Sequence, residues 1–305
     1  MRVSVAIVSW NTRGLLKACL DSLDPRHHEV IVVDNDSADG SADMVAASFP
    51  DAVLIRQPVN IGFGAAVNLA SYRARGSHLM LLNSDARAEP GAIDRLADYL
   101  DANERCGAVA GLLVDSSGEP QRGFNVRRFP TVASFAVDFL LIDQVWRSNP
   151  VTRRYLAEDV TFDRATDVDQ PAAAALMLRL DAFRKVGRMD ERFYPAWFED
   201  VDLCRRLKKA GWRITIEPAA RFQHKGGVAM RALGLAAFTD IWYRNLLLYV
   251  RKHHGRVRRS AVRGLLAVGM LERMLVSVVR RDRDAARAYR SVLRLALKND
   301  RPGEH

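Results

Sequence analysis

The sequence predicts an α/β fold with a mostly parallel central sheet flanked by helices. Two observations carry this. Continuous apolar runs such as Glu29–Asp34 (EVIVVD) and His78–Asn83 (HLMLLN) have the composition of strands buried on both faces. These runs alternate with segments of about 12 residues whose apolar positions recur at helical spacing, the pattern of parallel strands joined by helices.

Val3–Ser9 is expected as the first strand. Thr12–Leu23 is expected as a helix, with Leu15, Leu16, Cys19, Leu20 and Leu23 on one side. Glu29–Asp34 gives a second strand, Ser37–Phe49 a helix, Ala52–Arg56 a short strand and Gly64–Arg75 a helix. His78–Asn83 is a further buried strand, Pro90–Asn103 a helix with proline in its first turn, and Ala108–Val114 a strand. After residue 115 the pattern loosens. Residues 116–120 form a turn, and 129–169 are expected to be a loop-rich excursion. Gln170–Leu180 is expected as a strand, Asp181–Val186 as a short helix, Glu199–Ala210 as a helix ending at Gly211, and Trp212–Glu217 as the last strand of the body. From Ala232 the spacing is helical over 232–253, 259–280 and 283–298. The body is therefore expected over residues 1–230, with a C-terminal helical extension over 231–305.

Charge divides along the same line. The 305 residues carry 46 Lys+Arg against 36 Asp+Glu, a net of +10. Residues 251–305 hold 15 basic and 5 acidic side chains, which leaves 31 of each in residues 1–250. A neutral body and a basic tail face different partners. Nucleic acid is not expected as one of them, because no aromatic platform is interleaved with the basic residues. On 259–280 the apolar positions and the arginines at both ends suit a helix packed on the body, a homodimer contact, or peripheral contact with an anionic membrane.

Other classes are set aside. Composition is globular, with 49% hydrophobic and 27% charged residues, which excludes disordered and fibrous proteins. Cys19, Cys106 and Cys204 are far apart and form no CxxC, so neither a disulfide framework nor a cysteine zinc site is expected. The N-terminal apolar run passes directly into Trp10-Asn11-Thr12-Arg13 without a small-residue cleavage site, as a strand does and a signal peptide does not. No apolar stretch approaches the roughly 20 residues of a spanning helix. The expected location is cytoplasmic, with peripheral contact at the inner face of the plasma membrane.

In open α/β sheets ligands lie beyond the carboxyl ends of the strands. Here those ends are polar and acidic. Strand one is followed by Asn11, strand two ends in Asp34-Asn35-Asp36, and HLMLLN runs into Asn83-Ser84-Asp85. Neither GxGxxG nor a GxxxxGK[ST] loop is present. Acidic strand ends point to a metal that carries phosphates, because carboxylates alone repel them. Asp34 suits either a turn with a helix cap or hydrogen bonding to a nucleotide base or ribose. Asn60, Gly62 and Asn68 belong to a glycine-rich helix entry whose small residues allow close approach to backbone. Asp85 suits a cap, or a metal site completed by substrate phosphates. Glu199, Asp200 and Asp202 follow an aromatic run ending in Trp197-Phe198. They suit a helix dipole, or general-base work on a hydroxyl at an aromatic cleft. His224, before Gly226-Gly227 at a strand end, is a candidate metal ligand.

Taken in order, VAIVSWN, VDNDSADGS, NIGFGAAVN, LLNSDA, FYPAWFEDVDLCRRLKKAGW and FQHKGG resemble family 2 glycosyltransferases of the GT-A fold, over roughly residues 1–255. The nearest likeness is the rhamnosyltransferase-like branch of cell-surface polysaccharide synthesis. The resemblance implies the nucleotide-diphospho-sugar transferase fold, with residues 1–115 as the nucleotide-sugar half and 116–230 as the acceptor half. It implies inverting transfer from a nucleotide-diphosphate sugar to a hydroxyl of a glycan or lipid-linked glycan, with Mg²⁺ or Mn²⁺ as cofactor. Asp200 matches the base. Asn11, Asp34, Asn60, Gly62, Asn68, Ser84 and Asp85 match the donor-binding set, and Asp85 and His224 the metal ligands. Trp197, Glu199 and Asp202 fall on the acceptor side. dTDP-rhamnose is the leading donor, with a UDP- or GDP-sugar as the alternative. A catalytically idle carbohydrate-binding or scaffold protein accounts for Asn83 but not for Asp85, Asp200 and His224 together. A sugar-nucleotide pyrophosphorylase requires a Gly-rich, Arg-containing N-terminal loop that is absent after Val8. Two positions depart from the family: Asn83 stands where the first acid of the DxD motif is expected, and Ala172–Ala175 where relatives often carry glycine.

Overall fold

The computed structural model describes residues 2–227 and 233–298. The boundary expected at 230/231 lies outside them. The described residues form two compact units. Pro130–Tyr155 belongs with the C-terminal helices, and the remainder of the body forms the other unit.

The body is a mostly parallel sheet. Strands β1 (Val3–Ser9), β2 (Glu29–Asp34), β3 (Val53–Arg56), β4 (His78–Leu82), β5 (Ala86–Ala88), β6 (Cys106–Val114), β10 (Ala175–Arg179) and β11 (Arg213–His224) run in the order β3-β2-β1-β4-β10-β6-β11-β5. β10 is antiparallel to both neighbours, and β5 is antiparallel to β11. The short β8 (Thr166–Asp167) adds to β11, while β7 (Val126–Arg127) pairs with β9 (Gln170–Pro171).

Alternation along each strand fills two cores. Val3, Val5 and Ile7 of β1 join Leu16 and Cys19 of α1 (Arg13–Leu20), Val45 of α2 (Ser41–Ser48) and Leu96 of α4 (Ala92–Ala102). Ala6, Ile31 and Leu81 face the opposite side. There they meet Val67 and Ala70 of α3 (Phe63–Arg73), Phe183 of α8 (Leu180–Lys185), and Leu203 and Leu207 of α9 (Glu199–Lys209).

Three differences from the sequence reading have local causes. The last strand continues past Glu217 to His224, because a register shift between Glu217 and Arg221 absorbs Pro218, which cannot donate to the ladder. The expected strand 170–180 is two pieces, β9 and β10. The expected loop 129–169 contains helices α5 (Val132–Phe139), α6 (Ile142–Val145) and α7 (Pro150–Tyr155). Thr131 and Ser134 cap α5 reciprocally, and Phe135 and Phe139 form its buried i,i+4 face.

In the second unit, α10 (Leu235–His253), α11 (Arg256–Val279) and α12 (Arg283–Leu297) pack together, with α5 against α11. The α5–α11 crossing needs Gly269, since a Cβ there would stand 2.2 Å from the Phe139 carbonyl oxygen. Asp282 caps α12 through the Ala285 N–H. Among the described residues, no helix is long and apolar enough to cross a membrane.

Candidate active site

Parallel β1, β2 and β4 end on one edge of the sheet. The antiparallel β10 begins there, since Ala175 pairs with Leu82. The candidate residues are laced together along this edge. Asn11 (φ 53°) accepts from the Ala38 N–H through Oδ1 at 2.7 Å, and its own N–H donates to Ser37 Oγ. The Ser37 N–H donates to Asp34 Oδ1 at 3.1 Å. Asp34 is buried, and its Oδ2 has no partner among the described residues. A buried carboxylate oxygen left open at a strand end is suited to a ligand N–H or O–H.

Asn35 donates to Asn60 Oδ1, which also accepts from the Gly62 N–H, both at 2.9 Å. This fixes the entry to α3 against the turn before α9. Phe63 N–H donates to the Pro195 carbonyl, and Tyr194 donates its hydroxyl proton to the Asn60 carbonyl. Gly62 has φ +83°, and a Cβ there would meet Tyr194 Cδ2 at 2.9 Å and the Pro195 oxygen at 3.0 Å, so only glycine fits. Asn68 is buried deeper on α3. Its amide is committed at both ends, donating to the Met189 carbonyl and Glu191 Oε1 and accepting from the Met189 N–H. Asn68 thus ties the two halves of the site together.

A chain of hydroxyls runs from Ser9 through Thr12 to buried Ser84. Beyond it, the pairing of β5 with β11 sets His224 opposite Ala86 and brings the neighbouring Asp85 to the histidine ring. His224 Nε2 stands 3.4 Å from Asp85 Oδ1, with both side chains largely buried. A hard carboxylate oxygen beside an imidazole nitrogen is a donor set for a divalent cation such as Mn²⁺ or Mg²⁺. The spacing exceeds the roughly 2.8 Å of a charge-assisted hydrogen bond, so the pair is not closed on itself. Among the described residues, no three His, Cys, Asp or Glu side chains converge on one metal position.

Just before α9, Trp197 (φ 76°) and Phe198 (φ 70°) hold consecutive left-handed conformations. Bulky residues rarely adopt them, and they cost about 1–3 kcal/mol each. They turn the chain sharply into α9. Glu199 is buried and its Oε2 lacks a partner among the described residues. Loss of solvent, then the neighbouring Asp200, push its carboxyl well above the ordinary range. Asp200 is also raised, by loss of solvent. The Val201 and Ala173 N–H groups and the charge of Arg127 oppose that shift. Asp202 is fully buried and bonded to Arg206 at 2.7 Å, and Arg206 also donates to the Val186 carbonyl. The structure thus gives Asp202 a helix-anchoring partner inside the protein.

Ala173 and Ala174 make a further link between α9 and the end of β4. The Ala173 N–H donates to Asp200, and the Ala174 carbonyl accepts from the Asn83 N–H at 3.0 Å. Gln121, Phe124 and Arg127 were passed over by the sequence reading. They sit in an aperiodic segment where spacing carries no signal, and two of them touch His224: Gln121 by hydrogen bonds and Phe124 by stacking.

The sheet order and its flanking helices are those of the GT-A glycosyltransferase architecture. The sequence profile of glycosyl transferase family 2 matches residues 4–161, and the chain belongs to that family. It is a glycosyltransferase. It is similar to the N-acetylglucosaminyl-diphospho-decaprenol L-rhamnosyltransferase of Mycobacterium tuberculosis, with 29% identity over 72% of this chain and 75% of that one. It is similar to Rhamnosyltransferase WbbL of Escherichia coli K12, with 25% identity over 73% of this chain and 83% of that one. Among solved structures, the mannosyltransferase PcManGT of Pyrobaculum calidifontis, in complex with GDP-Man and Mn²⁺, shares the fold. Its TM-score is 0.56 at 17% identity, covering 98% of this chain and 81% of that one.

Proposed function

We propose that the chain is an inverting rhamnosyltransferase, moving rhamnose from dTDP-rhamnose to a hydroxyl of a glycan or lipid-linked glycan. The observation that carries it is the Ala173–Ala174 link, which ties the general-base candidate Asp200 to the strand end that carries Asp85. The rhamnosyltransferase relatives support the sugar.

Asp34 accepts a hydrogen bond from the nucleoside through its open oxygen, and Asn11 and the Asn60–Gly62 corner line the same end. Asp85 and His224 would hold a divalent cation. When bound there, it supplies positive charge against the departing diphosphate. Ser84 keeps Asp85 in place through the hydroxyl chain. Asp200 takes the proton of the acceptor hydroxyl as the new oxygen–carbon bond forms. The bond to the diphosphate oxygen breaks, and its electron pair leaves with the nucleoside diphosphate. Attack opposite the leaving group inverts the anomeric centre. Trp197 offers an apolar face to the acceptor sugar, and Glu199 adjoins it with a carboxyl oxygen that has no partner among the described residues. The test is turnover across dTDP-, UDP- and GDP-sugars with NMR of the released anomer. Fastest turnover of dTDP-rhamnose with inversion is expected, and turnover of none of them contradicts the proposal.

The basic extension gives this reading a location. On α11, Val257, Val268, Leu271, Leu275 and Val278 are exposed and lie on the face opposite buried Val262, Leu266 and Met270. Exposed Arg256 and Arg258 bound this stripe at one end, and Arg280 and Arg281 at the other. Two copies would set basic ends against basic ends, whereas an anionic bilayer complements both. Peripheral docking on anionic lipid is therefore proposed over a homodimer. Sedimentation with phosphatidylglycerol vesicles, lost in L271E/L275E and absent with phosphatidylcholine, supports it. A dimer in solution broken by the same substitutions overturns it.

A further inference from the structure

We infer that Gln121 is a positioning residue that sets the proton of His224 and thereby prepares the Asp85–His224 pair for a cation. The inference rests on reading those two residues as cation ligands. Gln121 Nε2 donates to the His224 carbonyl oxygen at 2.6 Å. A carbonyl only accepts, so this bond fixes which end of the amide is nitrogen. The other end, Oε1, lies 2.9 Å from His224 Nδ1. An amide oxygen also only accepts, so Nδ1 carries the hydrogen. In the neutral ring Nε2 is then left with its lone pair, aimed at Asp85 Oδ1 3.4 Å away. Two acceptors held face to face in a buried setting are satisfied by a cation between them.

The rest of the segment makes this arrangement rigid. Asn125 is buried and bonds both the N–H and the carbonyl of Leu113 on β6, and its backbone N–H donates to the Gln121 carbonyl. The Gln121 N–H donates to the Leu113 carbonyl at 3.0 Å. Gln121 is thus pinned to the strand next to β11. Phe124 stacks on the imidazole, with ring centroids 5.1 Å apart and planes 16° apart, so the ring is held against rotation from one face while Gln121 holds its edge. Asn83 makes this preparation matter more, because a neutral amide replaces an acid and leaves the pair to bind with fewer charges.

The experiment uses the full chain with ¹⁵N-labelled histidine and no metal, followed by Mn²⁺ titration with dTDP read by electron paramagnetic resonance. Ring nitrogen shifts of wild type are expected to show hydrogen on His224 Nδ1 and none on Nε2, with the resonances identified by their loss in H224A. Q121L is expected to move the hydrogen toward Nε2 and to weaken Mn²⁺ binding about 10–100-fold. Q121E still accepts from Nδ1–H but loses the donor to the His224 carbonyl, so it is expected to keep the hydrogen on Nδ1 and to weaken Mn²⁺ binding less than Q121L does. Hydrogen on Nε2 in wild type, or Mn²⁺ binding by Q121L equal to wild type, overturns the role of Gln121 while leaving the ligand reading intact. Mn²⁺ binding unchanged in H224A overturns the ligand reading itself. Should Q121L fail to fold, the wild-type tautomer alone decides.

Discussion

His224 reaches Asp85 because β11 outlasts its expected end: the shift past Pro218 lets the strand pair with β5 and sets the ring 3.4 Å from the carboxylate. If the pair takes the proposed cation, each residue is expected to be necessary for metal-dependent turnover. D85N and H224A should each lower turnover at least 100-fold at fixed Mn²⁺ while melting within a few degrees of wild type. Activity titrations against Mn²⁺, with calorimetry for the fold, check this.

Glu199, which is buried, and Asp200, which is half-buried, are neighbouring acids whose carboxyls are both raised, chiefly by loss of solvent. A carboxyl raised in the folded state binds its proton more tightly there than in the unfolded chain. Its stabilising contribution is full below the ordinary Glu value of 4.5 and is lost as pH rises through the raised value. E199Q is thus expected to unfold at a higher temperature than wild type at neutral pH, with the gap closing in acid. Melting curves across pH measure it. As Asp200 must be ionised to act as base, kcat/KM should fall on acidification with a midpoint above the ordinary Asp value of 3.8.

Asp202 and Arg206 pair inside the protein, with Asp202 fully buried. Removing one member strands the other charge. D202A is expected to cost about 3–5 kcal/mol of stability by denaturant titration. A loss confined to acceptor KM with unchanged stability would instead support the acceptor-side role expected of Asp202.

The strand ends were legible in the sequence because buried strands leave long apolar runs, and the residues after Ile7-Val8-Ser9, Val33-Asp34 and Leu81-Leu82 follow from them directly. The role of the sequence-assigned donor residues was less legible. Asn68 looks like Asn60 in sequence, yet one amide is spent on Met189 and Glu191 and the other on Asn35 and Gly62. Pairings across more than 100 residues, such as Gln121 with His224, leave no periodic trace. The helices within 129–169 were hidden because each is short, and only α5 has a buried apolar face.

The central claim is that Asp200 is the base of an inverting transfer. Its most direct measurement is the turnover of D200N beside wild type on dTDP-rhamnose and a glycan acceptor, with Mn²⁺ and dTDP affinities measured on both. D200N is expected to lose about 10²–10⁴-fold in kcat, with both affinities within a few-fold of wild type. D200N turning over near the wild-type rate would contradict it.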